Sequence, residues 1–169
     1  LDRALEINPQ LVWTHQLRAD ALFADVKPAE AIDVLLKARE LNPRDEVTLG
    51  RLLAAYLVVD GRSAGKLTVR GKQMINDATT RNPNCGDVFL AAGEALDRMR
   101  CILLATDYYR AAHERMPRLI STRGQLGLVL MRLGDEAEAA KLLEESFAID
   151  PFNVRVKNML EVLDHLKTY

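Results

Sequence analysis

GDVFLAAGEALDRMRCILLATDYYRAAHERMP, residues 86–117, holds two stretches of helical pattern, the second opening at about Cys101, and ends on a proline. Proline cannot continue a helix, so Pro117 marks the end of the second stretch. Five of the six prolines, Pro9, Pro43, Pro83, Pro117 and Pro151, follow the same kind of stretch, at spacings of 34, 40, 34 and 34 residues. A period of 34 predicts a helix-turn-helix unit that cannot bury its apolar face alone and stacks on copies of itself.

With proline as position 32 of a 34-residue unit, position 8 reads Ala19, Leu53, Gly93 and Gly127, and position 20 reads Ala31, Gly71, Ala105 and Ala139. Position 27 reads Ala4, Ala38, Ala78, Ala112 and Ser146. Twelve of these thirteen are small, which lets paired helices approach closely while larger neighbours interlock as ridges in grooves. The larger residues recur as Leu22, Tyr56, Leu96 and Leu130 at position 11, and as Leu1, Leu35, Ile75, Tyr109 and Leu143 at position 24.

In Phe89, Gly93, Leu96, Ala105, Tyr109, Ala112 and Pro117 the chain resembles the tetratricopeptide repeat (TPR) family. The resemblance covers essentially the whole chain. It implies an all-α, right-handed superhelical solenoid of antiparallel helix pairs. The expected organisation is a single domain: residues 1–9 end a truncated repeat, 10–43, 44–83, 84–117 and 118–151 are four repeats, and 152–169 form a capping helix from about Asn153 to Leu166. The opening Leu-Asp-Arg-Ala-Leu-Glu-Ile-Asn-Pro reads as the end of a helix without signal-peptide character, so the chain is expected to open in mid-repeat.

Departures from the pattern locate irregularities. His15 and Arg123 at position 4 and Arg18 at position 7 predict looser packing of the first helices in repeats one and four. Leu53 replaces the small residue of position 8, which predicts splaying in repeat two. That repeat carries six extra residues near Asp60-Gly-Arg-Ser-Ala-Gly-Lys66, expected to lengthen its turn or its second helix. Pro28 falls where a helix begins, where a missing N–H costs nothing.

No constellation for catalysis is visible. Gly61 to Leu67 is similar to a phosphate-cradling GxxxxGK[ST] loop, but its glycines are one residue too close and Leu67 stands where a magnesium-binding hydroxyl belongs. His113-Glu114 starts like HExxH, yet Pro117 occupies the place of the second histidine. His15, His113 and His165 lie in separate repeats and read as packing or surface residues. Cys85 and Cys101 should begin two antiparallel helices, on the order of 20 Å apart at 1.5 Å per residue, too far to bridge. Unbridged thiols favour a reducing, cytoplasmic compartment. Acidic pairs such as Glu144-Glu145 read as solvated helix faces. Neither cofactor nor metal is expected.

Net charge is -1 from 23 basic and 24 acidic residues, which favours neither nucleic acid nor an anionic membrane as partner. The longest apolar runs, such as Leu52 to Val59, are too short to span a bilayer.

The resemblance implies a scaffold whose first helices line a concave groove for an extended peptide or a partner's helix. Carried over by position, the partner-binding residues are Trp13, Gln16 and Asp20 in repeat one and Arg51 in repeat two. Repeat three contributes Leu90, Glu94, Asp97 and Arg98, repeat four Gln125, Met131 and Arg132, and the capping helix Asn158. Phe23, Ala54, Leu57, Asp87, Leu128 and Arg155 share these faces. The Lys and Asn that family members use to clamp a chaperone carboxylate are absent, since positions 5 and 9 read Gln16 and Asp20, Gly50 and Ala54, Leu90 and Glu94, Gly124 and Leu128. Trp13 and Met131 are the expected anchors, with Arg51, Arg98 and Arg132 as polar contacts. Packing of Trp13 and Phe23 against a preceding repeat is the competing expectation.

Two alternatives stand beside this reading. The chain could be a spacer that self-associates through Leu1, Leu5 and Ile7 at its N-terminal edge. The tail from Asn153 to Lys167 is also similar to the segment that leads into a zinc peptidase-like domain in some large bacterial TPR proteins, which implies a substrate-positioning role.

Overall fold

The computed structural model describes residue 3, residues 7–60 and residues 69–166. Among them there are nine full helices and no strand: α1 (Val12–Ala24), α2 (Pro28–Leu41), α3 (Glu46–Asp60), α4 (Val69–Arg81), α5 (Gly86–Arg98), α6 (Ile102–Arg115), α7 (Ile120–Leu133), α8 (Glu136–Ile149) and α9 (Val154–Leu166). Arg3 and Ile7 are also helical. Leu1, Ala4 and Leu5, and the loop-like motif from Gly61 to Leu67, lie outside the described residues.

The five periodic prolines all sit second in a tight turn between helices. In each, the carbonyl of the preceding residue accepts a hydrogen bond from the N–H three residues on, at 3.0 to 3.4 Å. Where that preceding residue is Asn8, Asn42, Asn82 or Asp150, its side-chain oxygen also accepts the N–H two residues on. The Asx-Pro pair thus satisfies the helix end and sets the direction of the next helix. Position 15 has its own recurrence: Val26, Arg100 and Gly134 have φ of 57, 63 and 81°, each closing the first helix of its unit in the left-handed region. The following N–H returns to Leu22, Leu96 or Leu130 at 2.8 to 3.1 Å, a Schellman closure in which only Gly134 is free of side-chain strain.

The small-residue register does the work assigned to it. A Cβ on Gly93 would stand 2.8 Å from the Tyr109 ring, and one on Gly127 would stand 2.8 Å from Leu143 Cγ. In both cases the missing side chain at position 8 makes room for the large residue at position 24. Ala19 and Leu35, the same two positions in the first unit, are wholly buried. One apolar cluster runs from α1 to α8, and a smaller one of Leu143, Val156 and Leu163 seats α9.

The expected loosening of repeats one and four does not occur: α1 on α2 and α7 on α8 pack about as extensively as α5 on α6. The polar residues at position 4 have found polar seats. His15 Nε2 meets the Pro9 carbonyl oxygen at 2.8 Å, and Arg123 Nη2 donates to the Pro117 carbonyl at 2.9 Å, so each ties its helix to the turn before it. Phe89 takes the apolar version of this place, stacked against Tyr108 and with Arg115 over its ring.

Repeat two is splayed as expected, and its two helices are treated very differently. α4 rests only slightly on α3, burying Gly71, Met74 and Ala78. α3 is buried nearly all round and packs directly on α5 as extensively as α5 packs on α6. Gly50 permits it, with the space of its missing Cβ filled by the Val88 carbonyl oxygen.

Candidate functional site

Two adjoining hollows open along α5, α7 and α9. The first, of about 260 Å³, is lined by Asp97, Gln125, Leu128, Val129, Arg132, Arg155, Asn158 and Met159. The second, of about 230 Å³, is lined by Glu94, Asp97, Arg98, Tyr109, Gln125 and Arg155. They share Asp97, Gln125 and Arg155. Glu94, Asp97, Arg98, Gln125, Arg132 and Asn158 of the sequence-derived lining are therefore brought together on one surface.

The other six candidates are elsewhere. Gln16 is buried, and its amide donates to Asp45 Oδ2 at 2.6 Å and to Thr48 Oγ1 at 2.9 Å, fixing α1 to the start of α3. Asp20 receives Arg51 in a bidentate pair at 2.8 and 2.7 Å, and Arg51 is only 9% exposed. These three side chains hold helices together, and Arg51, expected as a polar contact for a partner, is placed against Asp20 with little of it at the surface. The cause is the approach of α3 to α5, which also buries Ala54 and Leu57. Leu90 and Met131 are half-buried against the core. Phe23 is wholly buried, whereas Trp13 on α1 is 62% exposed.

Charges on the α5 side are largely paired. Arg98 lies 3.9 Å from Asp20 Oδ2 and 3.9 Å from Glu94 Oε2, and Arg132 pairs with Asp97. Arg155 has no ion-pair or hydrogen-bond partner among the described residues, and the amides of Gln125 and Asn158 beside it have none either. Counting Glu94, Asp97, Arg98, Arg132 and Arg155, the two hollows carry three positive and two negative groups. Pairing of position 9 with position 6 of the next first helix, and of position 12 with position 13, escaped the sequence reading. The complementary signs of Asp20 and Arg51, and of Asp97 and Arg132, were the available signal.

Burial raises the carboxyl pKa of Glu94, and Asp20 adds to the rise, while Arg98 and Arg51 pull it down. The Tyr109 phenol beneath is pushed up by burial and by Asp97 and Glu94, and Tyr108 is pushed up to about 12, again chiefly by burial. A carboxyl whose folded pKa exceeds its unfolded one gives its full stabilisation below the unfolded value and loses it as pH rises through the folded value. Glu94→Gln removes that loss. The variant should therefore melt above the parent at pH 7, with the gap closing towards pH 4; an equal or lower melting temperature at pH 7 refutes the assignment of desolvation as the larger effect.

Among the described residues no three His, Cys, Asp or Glu side chains are placed to hold a metal, and Cys85 and Cys101 form no disulfide. No described helix is long and apolar enough to cross a membrane.

No family model and no curated protein matches the sequence. Solved structures do match. Yeast Tom70 is 19% identical, with a TM-score of 0.66 over 99% of this chain, which spans 35% of the Tom70 chain. A thermophilic TPR protein of Thermus thermophilus is 18% identical at a TM-score of 0.59, covering 96% of this chain and 86% of its own. MamA from Desulfovibrio magneticus is 16% identical at 0.51, over 93% of this chain and 85% of its own.

Proposed function

Because the chain has the tetratricopeptide-repeat fold, we propose that it is a protein-interaction scaffold that holds an extended segment of a partner along α5, α7 and α9. The observation that carries this reading is Arg155, a guanidinium without an ion-pair or hydrogen-bond partner among the described residues, lining one hollow with the amides of Gln125 and Asn158 and the apolar Leu128, Val129 and Met159. A partner residue that brings one carboxylate next to apolar side chains complements both features. The unmatched positive charge of the two hollows supports the same sign. Trp13 is the apolar anchor at the α1 end, since a large exposed aromatic contributes much area at little entropic cost.

A peptide library carrying single acidic residues among apolar ones, read by fluorescence anisotropy against the whole chain, tests this. Arg155→Ala should weaken the best binder about tenfold, the loss of roughly 1.4 kcal/mol expected for a charge-assisted hydrogen bond. Arg118→Ala, exposed on the turn before α7, should leave it unchanged. Equal affinity of parent and Arg155→Ala for every peptide bound removes these hollows as the site. Undiminished binding by Trp13→Ala removes Trp13 alone.

Self-association is favoured by a different observation. α9 seats Val156 and Leu163 inward but leaves Val154, Val162 and Leu166 exposed, and Phe152, in the turn before it, is 90% exposed. At the other end Ile7 is 78% exposed. Sedimentation equilibrium over a hundredfold concentration range decides it: a constant monomer mass ends this reading.

A further inference from the structure

We propose that α4 is a separately opening element, one that leaves its seat and returns while α3 and α5 stay together. In a regular stack the second helix of each unit is held twice, by its own first helix and by the first helix of the next unit. That is so for α2, held by α1 and α3, for α6, held by α5 and α7, and for α8, held by α7 and α9. α4 lacks both grips, with slight contact to α3 and almost none to α5.

The reason lies in its neighbours. Gly50 lets α3 drop onto the Val88 carbonyl and the Ala91 and Ala92 backbone region of α5. The apolar face that α5 offers backward is thereby covered by α3, and α5 even reaches α1, where Arg98 approaches Asp20. Continuity of the core from α3 to α5 does not pass through α4.

Among the described residues, the seat of α4 is small. Its buried stripe is Gly71, Met74 and Ala78, where α2 presents Ala31, Leu35 and Ala38 and α6 adds two tyrosines. Between the start of α3 and the end of α4 a hollow of about 410 Å³, lined by Arg44, Glu46, Leu49, Ala78, Arg81 and Asn82, takes the place of packing. Among the described residues, a hydrogen bond from Asn82 Nδ2 to Glu46 Oε1 at 2.9 Å crosses that end, and Arg70 lies over the Tyr56 ring at the other. The sequence of α4 adds little of its own, since Gly71, Thr79 and Thr80 are weak helix formers. Thr79 Oγ1 bonds the Ile75 carbonyl in place of water. Elements with little buried apolar area open at free energies well below that of global unfolding.

Native-state hydrogen–deuterium exchange of the whole chain, read by mass spectrometry, tests the proposal. Amides of α4 should exchange at least about 100-fold faster than those of α3 and α5. Met74→Ala should speed exchange in α4 about tenfold further and leave α3 and α5 unchanged, because its side chain contributes the largest part of the seat. Equal protection of α4, α3 and α5 in the parent overturns the proposal. So does a Met74→Ala variant in which all three helices speed up together, since that shows α4 opening only with the rest.

Discussion

Gly50→Ala is expected to lower the melting temperature by about 6 to 12 °C. The Cβ it adds would sit 2.2 Å from the Val88 carbonyl oxygen, 2.9 Å from Ala91 Cβ and 3.0 Å from the Ala92 nitrogen. Two of those three atoms are backbone of a buried helix, so no rotamer change relieves the contact and α3 must move away from α5. Alanine gains about 1 kcal/mol over glycine in a helix interior, which leaves the outcome to packing. Overpacking a close-packed core costs about 1 to 3 kcal/mol and occasionally more. Because two of the three contacts are with backbone that cannot yield, this substitution lies above that range, at about 4 kcal/mol, a net loss of about 3 kcal/mol once the helix gain is subtracted. For a chain of 169 residues each kcal/mol is worth about 2 to 4 °C. Gly134→Ala is the control, because that glycine has φ of 81° and nothing within 4 Å of a Cβ. Its cost is the left-handed backbone alone, about 1 to 2 kcal/mol. Melting curves followed by circular dichroism in which Gly50→Ala falls no further than Gly134→Ala would show that α3 and α5 are not held at that contact.

The period of the prolines predicts helix positions well because a proline turn is a local device, closed by hydrogen bonds within four residues. The pairing of Gly93 with Tyr109 and of Gly127 with Leu143 is nearly as local, since the partners lie sixteen residues apart on the two helices of one hairpin. Legibility falls where a contact depends on the angle between units. Leu53 and the six extra residues foretold a splayed second unit, but not that α3 would turn onto α5, since Gly50 carries no side chain to announce a partner. His15 and Arg123 read as flaws in an apolar pattern, yet each donates to the carbonyl of a turn six residues back. A carbonyl is present at every position, so its use cannot be read from residue type. The same limit governs the site. Glu94, Asp97, Arg98, Gln125, Arg132 and Asn158 were placed together by register, whereas the loss of Arg51 to Asp20 follows from a shift of α3 that register does not contain.

Asp20→Ala, which register alone would class as a partner-binding change, should instead unfold the protein more readily, by about 3 kcal/mol in denaturant titration. Arg51 is a buried cation, and its Nη1 already lacks a hydrogen-bond partner. Removing the carboxylate leaves the whole guanidinium without its bidentate acceptor, and breaking one side of a buried pair costs about 3 to 5 kcal/mol. Glu94 also responds, because Arg98 and Arg51 both pull its pKa down and Asp20 pushes it up. Loss of Asp20 therefore lowers the pKa of Glu94, a partial compensation that holds the expected loss to the lower end of the range. The double variant Asp20→Leu with Arg51→Met should recover most of the stability, since well-packed apolar residues replace buried pairs at little or no loss. The cycle of single and double variants then yields a coupling well above the ~0.5 kcal/mol scatter of additive sites. A loss below about 1 kcal/mol for Asp20→Ala would mean that water reaches the pair, and Arg51 would return to the set of side chains a partner can touch.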